Sequence, residues 1–296
     1  MKLGREITDD GRFTRQPNRF TELIGTTEPG RYQLYVSYAC PWAHRSLIVR
    51  RLTGLEEVIG VTAVDPIRDE KGWRFDGTDP VTGASYLSEL YLSSDPDYTG
   101  RYTVPCVWDR IEERLVTNDY PQITLTLETL FRPLHREGAP DLYPEPLRPA
   151  IDELNQRIYR GLNNAVYEAG FARDQRAYED AAGRVFATLD ELEARLSGSR
   201  FLHGDEITES DIRLYPTLAR FDSVYYGHFK CSLRRLTDYP ALWAYARDLY
   251  QRPAFRETTD FDQIKRHYYI TQTNVNPSRI VPVGPVLDWE APHGRG

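Results

Sequence analysis

The sequence predicts an α/β domain followed by an all-helical domain, and three observations lead there. In the first half of the chain, short β-rich runs and helical runs follow the order strand, helix, strand, then strand, strand, helix. From about Leu147 onward the apolar residues recur at helical spacing only. At the junction of the first strand and first helix stands Cys40, followed at once by Pro41.

The elements follow one another plainly. Residues 1–30 read as an irregular arm, with Pro17, Pro29 and Gly30 as breakers. Arg31 to Ser37 alternates, with Tyr32, Leu34 and Val36 on one face, and reads as a strand. After Pro41, Ala43, Leu47, Ile48 and Leu52 form a helical stripe that Gly54 stops. Val58 to Val64 is β-branched and reads as a second, parallel strand reached by a right-handed crossover. Pro66 to Tyr102 looks irregular and is too long for an ordinary connection, which marks it as functional. Cys106 to Asp109 and Arg114 to Thr117 read as a hairpin. Asn118 and Asp119 are placed to cap a helix starting near Pro121. This order is that of a thioredoxin-like domain, spanning 31–132 with an inserted segment at 66–102.

The helical domain is expected over 147–262. Ile151, Leu154, Ile158 and Leu162 make one stripe, and Val185, Leu189, Leu192 and Leu196 another. Thr208 and Asp211 have the spacing of a capping box, with Ile207 and Ile212 placed to staple the turn. The last residues, 263–296, carry Pro277, Pro282, Pro285 and Pro292 and are expected to wrap over the surface as an irregular tail.

Composition narrows the function. A formal charge of −7 lacks the basic footprint of a nucleic-acid binder. No apolar run reaches membrane-spanning length, and the polar N-terminus has no signal-peptide core. Three widely spaced cysteines argue against a disulfide framework and for a reducing, cytoplasmic setting. No metal-ligand spacing and no glycine-rich phosphate loop appears, so no metal is expected.

What remains is thiol chemistry. A cysteine at a helix N-terminus lies at the positive end of the helix dipole, which favours thiolate. Its pKa is expected within about 3.5–7.5, below the value of about 8.5 for an unperturbed thiol. A dithiol reductase would carry a second cysteine three positions on, where this chain has Ala43. A mixed disulfide on Cys40 must therefore be released by an external thiol, as in glutathione-type chemistry. Cys106, inside a strand behind Pro105, reads as core, and Cys231 has no evident task. In thioredoxin-like domains the proline before this strand is cis and the backbone before it pairs with the thiol peptide; Val104-Pro105 fits that place.

The run Tyr35 to Arg45, with Cys40-Pro41-Trp42-Ala43-His44 at its centre, resembles the active-site signature of the glutathionyl-hydroquinone reductases, the Xi-class glutathione transferases. Matches recur along nearly the whole chain. They include Gly72-Trp73-Arg74-Phe75, Gly100-Arg101, Asn163-Asn164-Ala165-Val166-Tyr167, Phe221-Asp222-Ser223-Val224-Tyr225, His267-Tyr268-Tyr269 and Pro292-His293-Gly294-Arg295. The resemblance implies the glutathione transferase fold, a homodimer, and removal of glutathione from glutathionyl-hydroquinones to give hydroquinone and oxidised glutathione. It implies Cys40 as nucleophile, Tyr167 and Tyr268 at the quinol site, and Trp73, Arg101, Val104 and Pro105 around the thiol co-substrate. One pair departs from the family pattern. Where the family has Glu-Ser to hold the γ-glutamyl end of glutathione, this chain has Asp119-Tyr120. Asp119 still suits an ammonium group, but Tyr120 is far larger than serine, which opens the reading that another thiol such as mycothiol is used.

Two other readings are weighed against this one. An Omega-type glutathione transferase with glutaredoxin-like or dehydroascorbate reductase activity also works with one cysteine, and substrate turnover separates it. A non-catalytic binding or scaffold protein on the same fold has no need of an activated Cys40.

Overall fold

The computed structural model describes residues 6–295, which fall into two compact units. The first comprises Gln16–Pro140 and Asp260–His267; the second comprises 6–15, Asp141–Thr259 and 268–295. These bounds differ from the sequence expectation at both ends of the chain. The arm divides because its two parts are tied differently. Thr21 bridges Thr117 and the Phe20 amide donates to Asn118 at 3.1 Å, whereas Phe13 packs at a tilt against Phe171 and Arg12 pairs with Asp180 at 2.8 Å.

The first unit is a four-stranded mixed sheet flanked by helices. Its elements are β1 (Tyr32–Val36), α1 (Pro41–Thr53), β2 (Gly60–Ala63), α2 (Leu87–Ser94), β3 (Cys106–Asp109), β4 (Arg114–Thr117) and α3 (Tyr120–Thr129). Strand order is β2-β1-β3-β4, with β1 parallel to β2 and antiparallel to β3. As an inner strand, β1 is buried along its whole length, so the alternation expected to leave one face polar does not do so. The polar groups on that other face are satisfied instead: Gln33 Nε2 donates to Thr62 Oγ1 at 2.7 Å and Tyr35 donates to Asp79 at 2.6 Å. α1 ends at Gly54, whose φ of 75° is left-handed and whose N–H donates to Arg50.

The insertion at 66–102 is not wholly irregular. It holds α2, whose first turn is closed by Glu89 accepting from the Tyr86 amide at 2.8 Å. Buried Asp79 knots the insertion to the sheet, accepting from Tyr35, from Thr62 Oγ1 at 3.2 Å and from the Thr82 amide at 2.8 Å. At α3, Asp119 occupies the cap position but makes no side-chain cap bond. Asn118 does not cap either: it binds Phe20 and, through Nδ2, Thr103 at 3.1 Å. Proline at the start of α3 has no N–H to offer, which removes one of the donors a capping side chain would satisfy.

The second unit is helical: α4 (Arg148–Ile158), α5 (Ala165–Phe171), α6 (Gln175–Ser197), α7 (Glu209–Arg220), α8 (Pro240–Tyr250) and α9 (Pro253–Arg256). α10 (Phe261–Thr271) is divided: its residues up to His267 belong to the first unit and those from Tyr268 to the second. The predicted stripes of α4 and α6 are buried, and α5 packs along α6. Five-residue π-helical turns follow α4 (Tyr159–Asn163) and α7 (Phe221–Tyr225). The segment after α10 is irregular but anchored. Trp289 is buried against Trp243 and Tyr250, and Arg295 donates to the carbonyls of Leu196, Ser199 and Arg200 at the end of α6. Among the described residues, no helix is long and apolar enough to cross a membrane.

The box at the start of α7 forms as its spacing predicts. The Asp211 carboxylate, fully buried, accepts from the Thr208 amide at 2.8 Å, the Leu202 amide at 3.1 Å and Tyr245 Oη at 2.7 Å. Asp211→Ala strands those donors in the core and is expected to cost about 2–4 kcal/mol. Urea unfolding should show a clearly lowered midpoint; a midpoint equal to that of the parent would contradict the assigned role.

Candidate active site

Cys40 sits where the turn after β1 becomes α1. Its amide donates to Ser37 O at 3.0 Å, and its φ and ψ of −81° and 120° are those of a residue just outside a helix. Pro41 takes the first helical position, where a missing N–H goes unused. Cys40 as a residue is 9% exposed, largely buried but not sealed off. It donates to the main-chain carbonyl of Val104, 3.2 Å away, and the Val104-Pro105 bond is cis. Two chain segments 64 residues apart therefore meet at the sulfur. When the proton leaves, that bond is lost, while a helix N-terminus favours the anion.

Ala43, three positions on, is fully buried. Cys106 and Cys231 are also fully buried, and burial raises both thiols, Cys231 to about 12. Neither thiol is therefore a nucleophile near neutral pH, in keeping with the core role expected of Cys106.

The other candidates of the first unit form separate sets of contacts. Tyr120 packs its ring on Trp42 of α1, centroids 4.6 Å apart, and the Arg45 guanidinium lies 4.6 Å from the Trp42 ring and 5.9 Å from that of Tyr120. Tyr120 is half-buried in this cluster, and Asp119 beside it receives Asn18 Nδ2 at 3.4 Å. Trp73, on the insertion, stacks almost parallel on His267 at 4.9 Å, with the Arg68 guanidinium 5.0 Å from its ring. His267 is fixed by a bond between Nδ1 and Pro66 O at 2.6 Å. Arg101 donates its amide to Gln16 at 3.0 Å, and its carbonyl accepts from Tyr98. Val104 thus meets Cys40 directly, and Pro105 follows it through the cis bond.

In the second unit Tyr167 of α5 and Tyr268 of α10 are joined by a hydrogen bond between their hydroxyls. A third phenol, Tyr225, lies 3.1 Å from the Tyr268 hydroxyl. Phe229 stacks on Tyr225 at 5.5 Å and meets Tyr167 and Tyr268 edge-on. The Arg15 guanidinium lies 4.9 Å from the Tyr167 ring and is steered by Asn164 Oδ1 at 2.9 Å. Burial raises Tyr225 and Tyr268 well above the ordinary phenol range, so both are proton donors across neutral pH. Sequence reasoning paired Tyr167 with Tyr268 through the family resemblance but gave Tyr225, Arg15 and His267 no role. The only signal for Tyr225 and His267 was their presence within matched motifs, and Arg15 lay outside all of them.

Both units match known proteins. Residues 39–130 match the glutathione S-transferase N-terminal domain and residues 175–248 the glutathione S-transferase C-terminal domain. The chain is 47% identical to glutathionyl-hydroquinone reductase YqjG of Escherichia coli over 90% of its own length and 83% of that protein's. The glutathione-bound structure of YqjG overlays with a TM-score of 0.87 at 46% identity, covering 91% of this chain and 89% of that one. The Xi glutathione transferase of Phanerochaete chrysosporium overlays with a TM-score of 0.93 at 47% identity, covering 95% of each chain.

The three thiols should differ sharply in reactivity. Iodoacetamide is expected to label Cys40 first, with a pH midpoint below the value of about 8.5 for an unperturbed thiol, and to spare Cys106 and Cys231 in the native protein. Peptide mapping after timed alkylation reads this out. Labelling of Cys106 as fast as Cys40 would remove the distinction.

Proposed function

The chain belongs to the glutathione transferases and, within them, to the Xi-class glutathionyl-hydroquinone reductases, and from that premise we propose that it strips the thiol from thiol–hydroquinone conjugates through a mixed disulfide on Cys40. The observation that carries the reading is the placement of Cys40: a nucleophile at a helix start, bonded to Val104 O, with alanine where a resolving cysteine would stand.

The reaction follows from that placement. The Cys40 thiolate attacks the sulfur of the conjugate. An S–S bond forms between Cys40 and the small thiol, and the carbon–sulfur bond breaks with its electron pair going to the ring. The ring is reduced and, after protonation, leaves as hydroquinone. A second molecule of thiol then attacks the mixed disulfide, releasing the oxidised dimer of the small thiol and restoring Cys40. An aromatic carbon is a poor leaving group, but in the keto tautomer the departing charge settles on oxygen as an enolate. A phenol aimed at that oxygen lowers the barrier. Tyr167 and Tyr268 supply such phenols in this reading, and Trp73, Arg101, Val104 and Pro105 hold the thiol co-substrate. An Omega-type thioltransferase would need no ring-oxygen donor.

Glutathione is the first candidate for the thiol, since a relative was solved with it bound. The Asp119-Tyr120 pair favours a second candidate, mycothiol, which lacks the γ-glutamyl group. A tyrosine ring held against Trp42 offers an aromatic face to a sugar rather than a hydroxyl to a carboxylate. Losing one hydrogen bond to a charged group costs about 1.5–3 kcal/mol, roughly a tenfold to hundredfold loss of affinity. We further propose that the enzyme works as a cytoplasmic homodimer, as the family resemblance implies.

Turnover with glutathionyl- and mycothiyl-hydroquinones tests the reading. Cys40→Ser should abolish it, while Cys106→Ser keeps most of it. Phe in place of both Tyr167 and Tyr268 should lower kcat by about 10²–10⁴-fold with little change in thiol affinity. Conjugate turnover that survives Cys40→Ser would exclude the mechanism.

The identity of the thiol has its own test. With mycothiol as co-substrate, kcat/KM should exceed that with glutathione, and Tyr120→Ser should raise the glutathione value by about tenfold or more. Efficient glutathione turnover by the parent, unimproved in Tyr120→Ser, assigns the site to glutathione.

A further inference from the structure

The sheet of the first unit carries an open hollow that the reaction at Cys40 does not use. It has a volume of about 500 Å³, within the range of small-molecule sites, and is lined by Gln33, Gly60, Val61, Pro80, Val81 and Arg110. Gln33 stands near the start of β1, whereas Cys40 follows that strand's end, so hollow and thiol lie toward opposite ends of β1.

The walls are set by hydrogen bonds whose direction follows from chemistry. The Asp79 carboxylate only accepts, so the Thr62 hydroxyl gives it its proton, across 3.2 Å. Thr62 Oγ1 then has only lone pairs to offer Gln33, whose amide nitrogen donates to it at 2.7 Å. The Gln33 carbonyl is thereby turned the other way and accepts from the Arg110 guanidinium. Gln33 is buried, so breaking this arrangement is costly. Asp79 also accepts from the Thr82 amide at 2.8 Å and the Thr82 hydroxyl at 2.6 Å, and its own carbonyl accepts from the Gly83 amide at 2.8 Å. The turn that carries Pro80 and Val81 is thus tied down, and its apolar wall is preformed. Gly60 of β2 keeps the space open: a Cβ there would collide with Gln33 Oε1 and lie 2.9 Å from Arg110 Nη2.

The charge in this hollow is what calls for a ligand. The Arg110 guanidinium donates to two neutral acceptors, Gln33 Oε1 and Gly30 O, the latter at 3.4 Å, and among the described residues to no carboxylate. The acids beside it in the chain are committed elsewhere: Asp109 to Arg31 at 2.6 Å, and Glu112 to Arg31 at 3.2 Å and to Arg114 at 2.7 Å. Nη1 and Nη2 of Arg110 each hold one neutral acceptor, so each keeps a second N–H for an incoming group. We propose that the hollow binds a small organic carboxylate, its head on Arg110 and its apolar body against Val61, Pro80 and Val81. A carboxylate matches the guanidinium fork. A phosphate dianion would ask for further donors or a second cation, and the apolar walls supply neither. This binding is independent of the reaction at Cys40.

4-Fluorobenzoate serves as the probe, its fluorine resonance followed while the full chain is titrated. Saturable binding below about 10 mM is expected. Arg110→Gln should weaken it about tenfold or more, the loss of a charge-assisted pair. Arg110 is exposed, so this variant is expected to fold, and iodoacetamide labelling of Cys40 at the parent rate verifies that the first unit is intact. Val81→Glu sets a carboxylate of the chain's own against the guanidinium and should weaken the probe to a similar degree. Neutral 4-fluorobenzamide should bind, and inorganic phosphate should displace the probe, about tenfold less well than 4-fluorobenzoate itself. Probe binding that survives Arg110→Gln belongs to another site and overturns the proposal. So does a parent that shows no saturation, an affinity unchanged in Val81→Glu, or an amide or phosphate that performs as well as the carboxylate.

Discussion

The hydrogen bond from the Cys40 thiol to the Val104 carbonyl is the point on which the first unit converges. β1 has to end where α1 begins, and the residue before the cis proline has to turn its carbonyl toward that junction. Neither segment reaches the other unless β1 and β3 are paired, and their antiparallel register, with Tyr35 opposite Cys106, brings the two together. Burial of β1 on both faces is what makes the pairing rigid. A sulfur on a mobile loop would sample many distances from any substrate, whereas one held at the edge of a packed sheet is positioned before the substrate arrives.

The same logic extends to the insertion between β2 and β3. A segment of that length costs conformational entropy and repays it only if something ties it down. Asp79 does so by accepting hydrogen bonds from β1, from β2 and from the insertion itself. The buried aromatic pairs Phe75 on Tyr35 and Trp73 on His267 are then held in place.

Much of this was legible because it is local. Strand alternation, the Gly54 stop, the Thr208–Asp211 box and the Cys-Pro junction are each written within a few residues, and the structure places them where the periodicity does. α2 was not legible. At eight residues it is too short to show a period, and its first turn is closed from inside by Glu89 rather than by a usual cap residue ahead of it. β1 misled in the other direction: its alternation implied a polar face, but Gln33 and Tyr35 are buried because partners distant in sequence satisfy them. The capping expected of Asp119 does not form: Pro121 offers no N–H, and the Asp119 carboxylate accepts from Asn18 Nδ2 instead. The phenol chain is wholly tertiary. Tyr167, Tyr225 and Tyr268 are three among 20 tyrosines, and nothing in their spacing says that their hydroxyls meet.

The bond between His267 and Pro66 has a consequence for how the chain folds. It joins residues 201 positions apart, so the platform under Trp73 is closed by a contact of very long sequence range. Loop-closure entropy grows only slowly with length, so the contact is affordable at equilibrium, yet contacts of this range form late. The sheet that carries Cys40 closes over shorter ranges, its longest strand pairing joining Tyr32 to Asp109, and so is less delayed. The reactive thiol is therefore framed early in folding, while the aromatic surface on the insertion waits for a helix encoded near the other end of the chain. Closure of the Trp73–His267 contact and protection of the thiol would thus run on two different clocks during refolding.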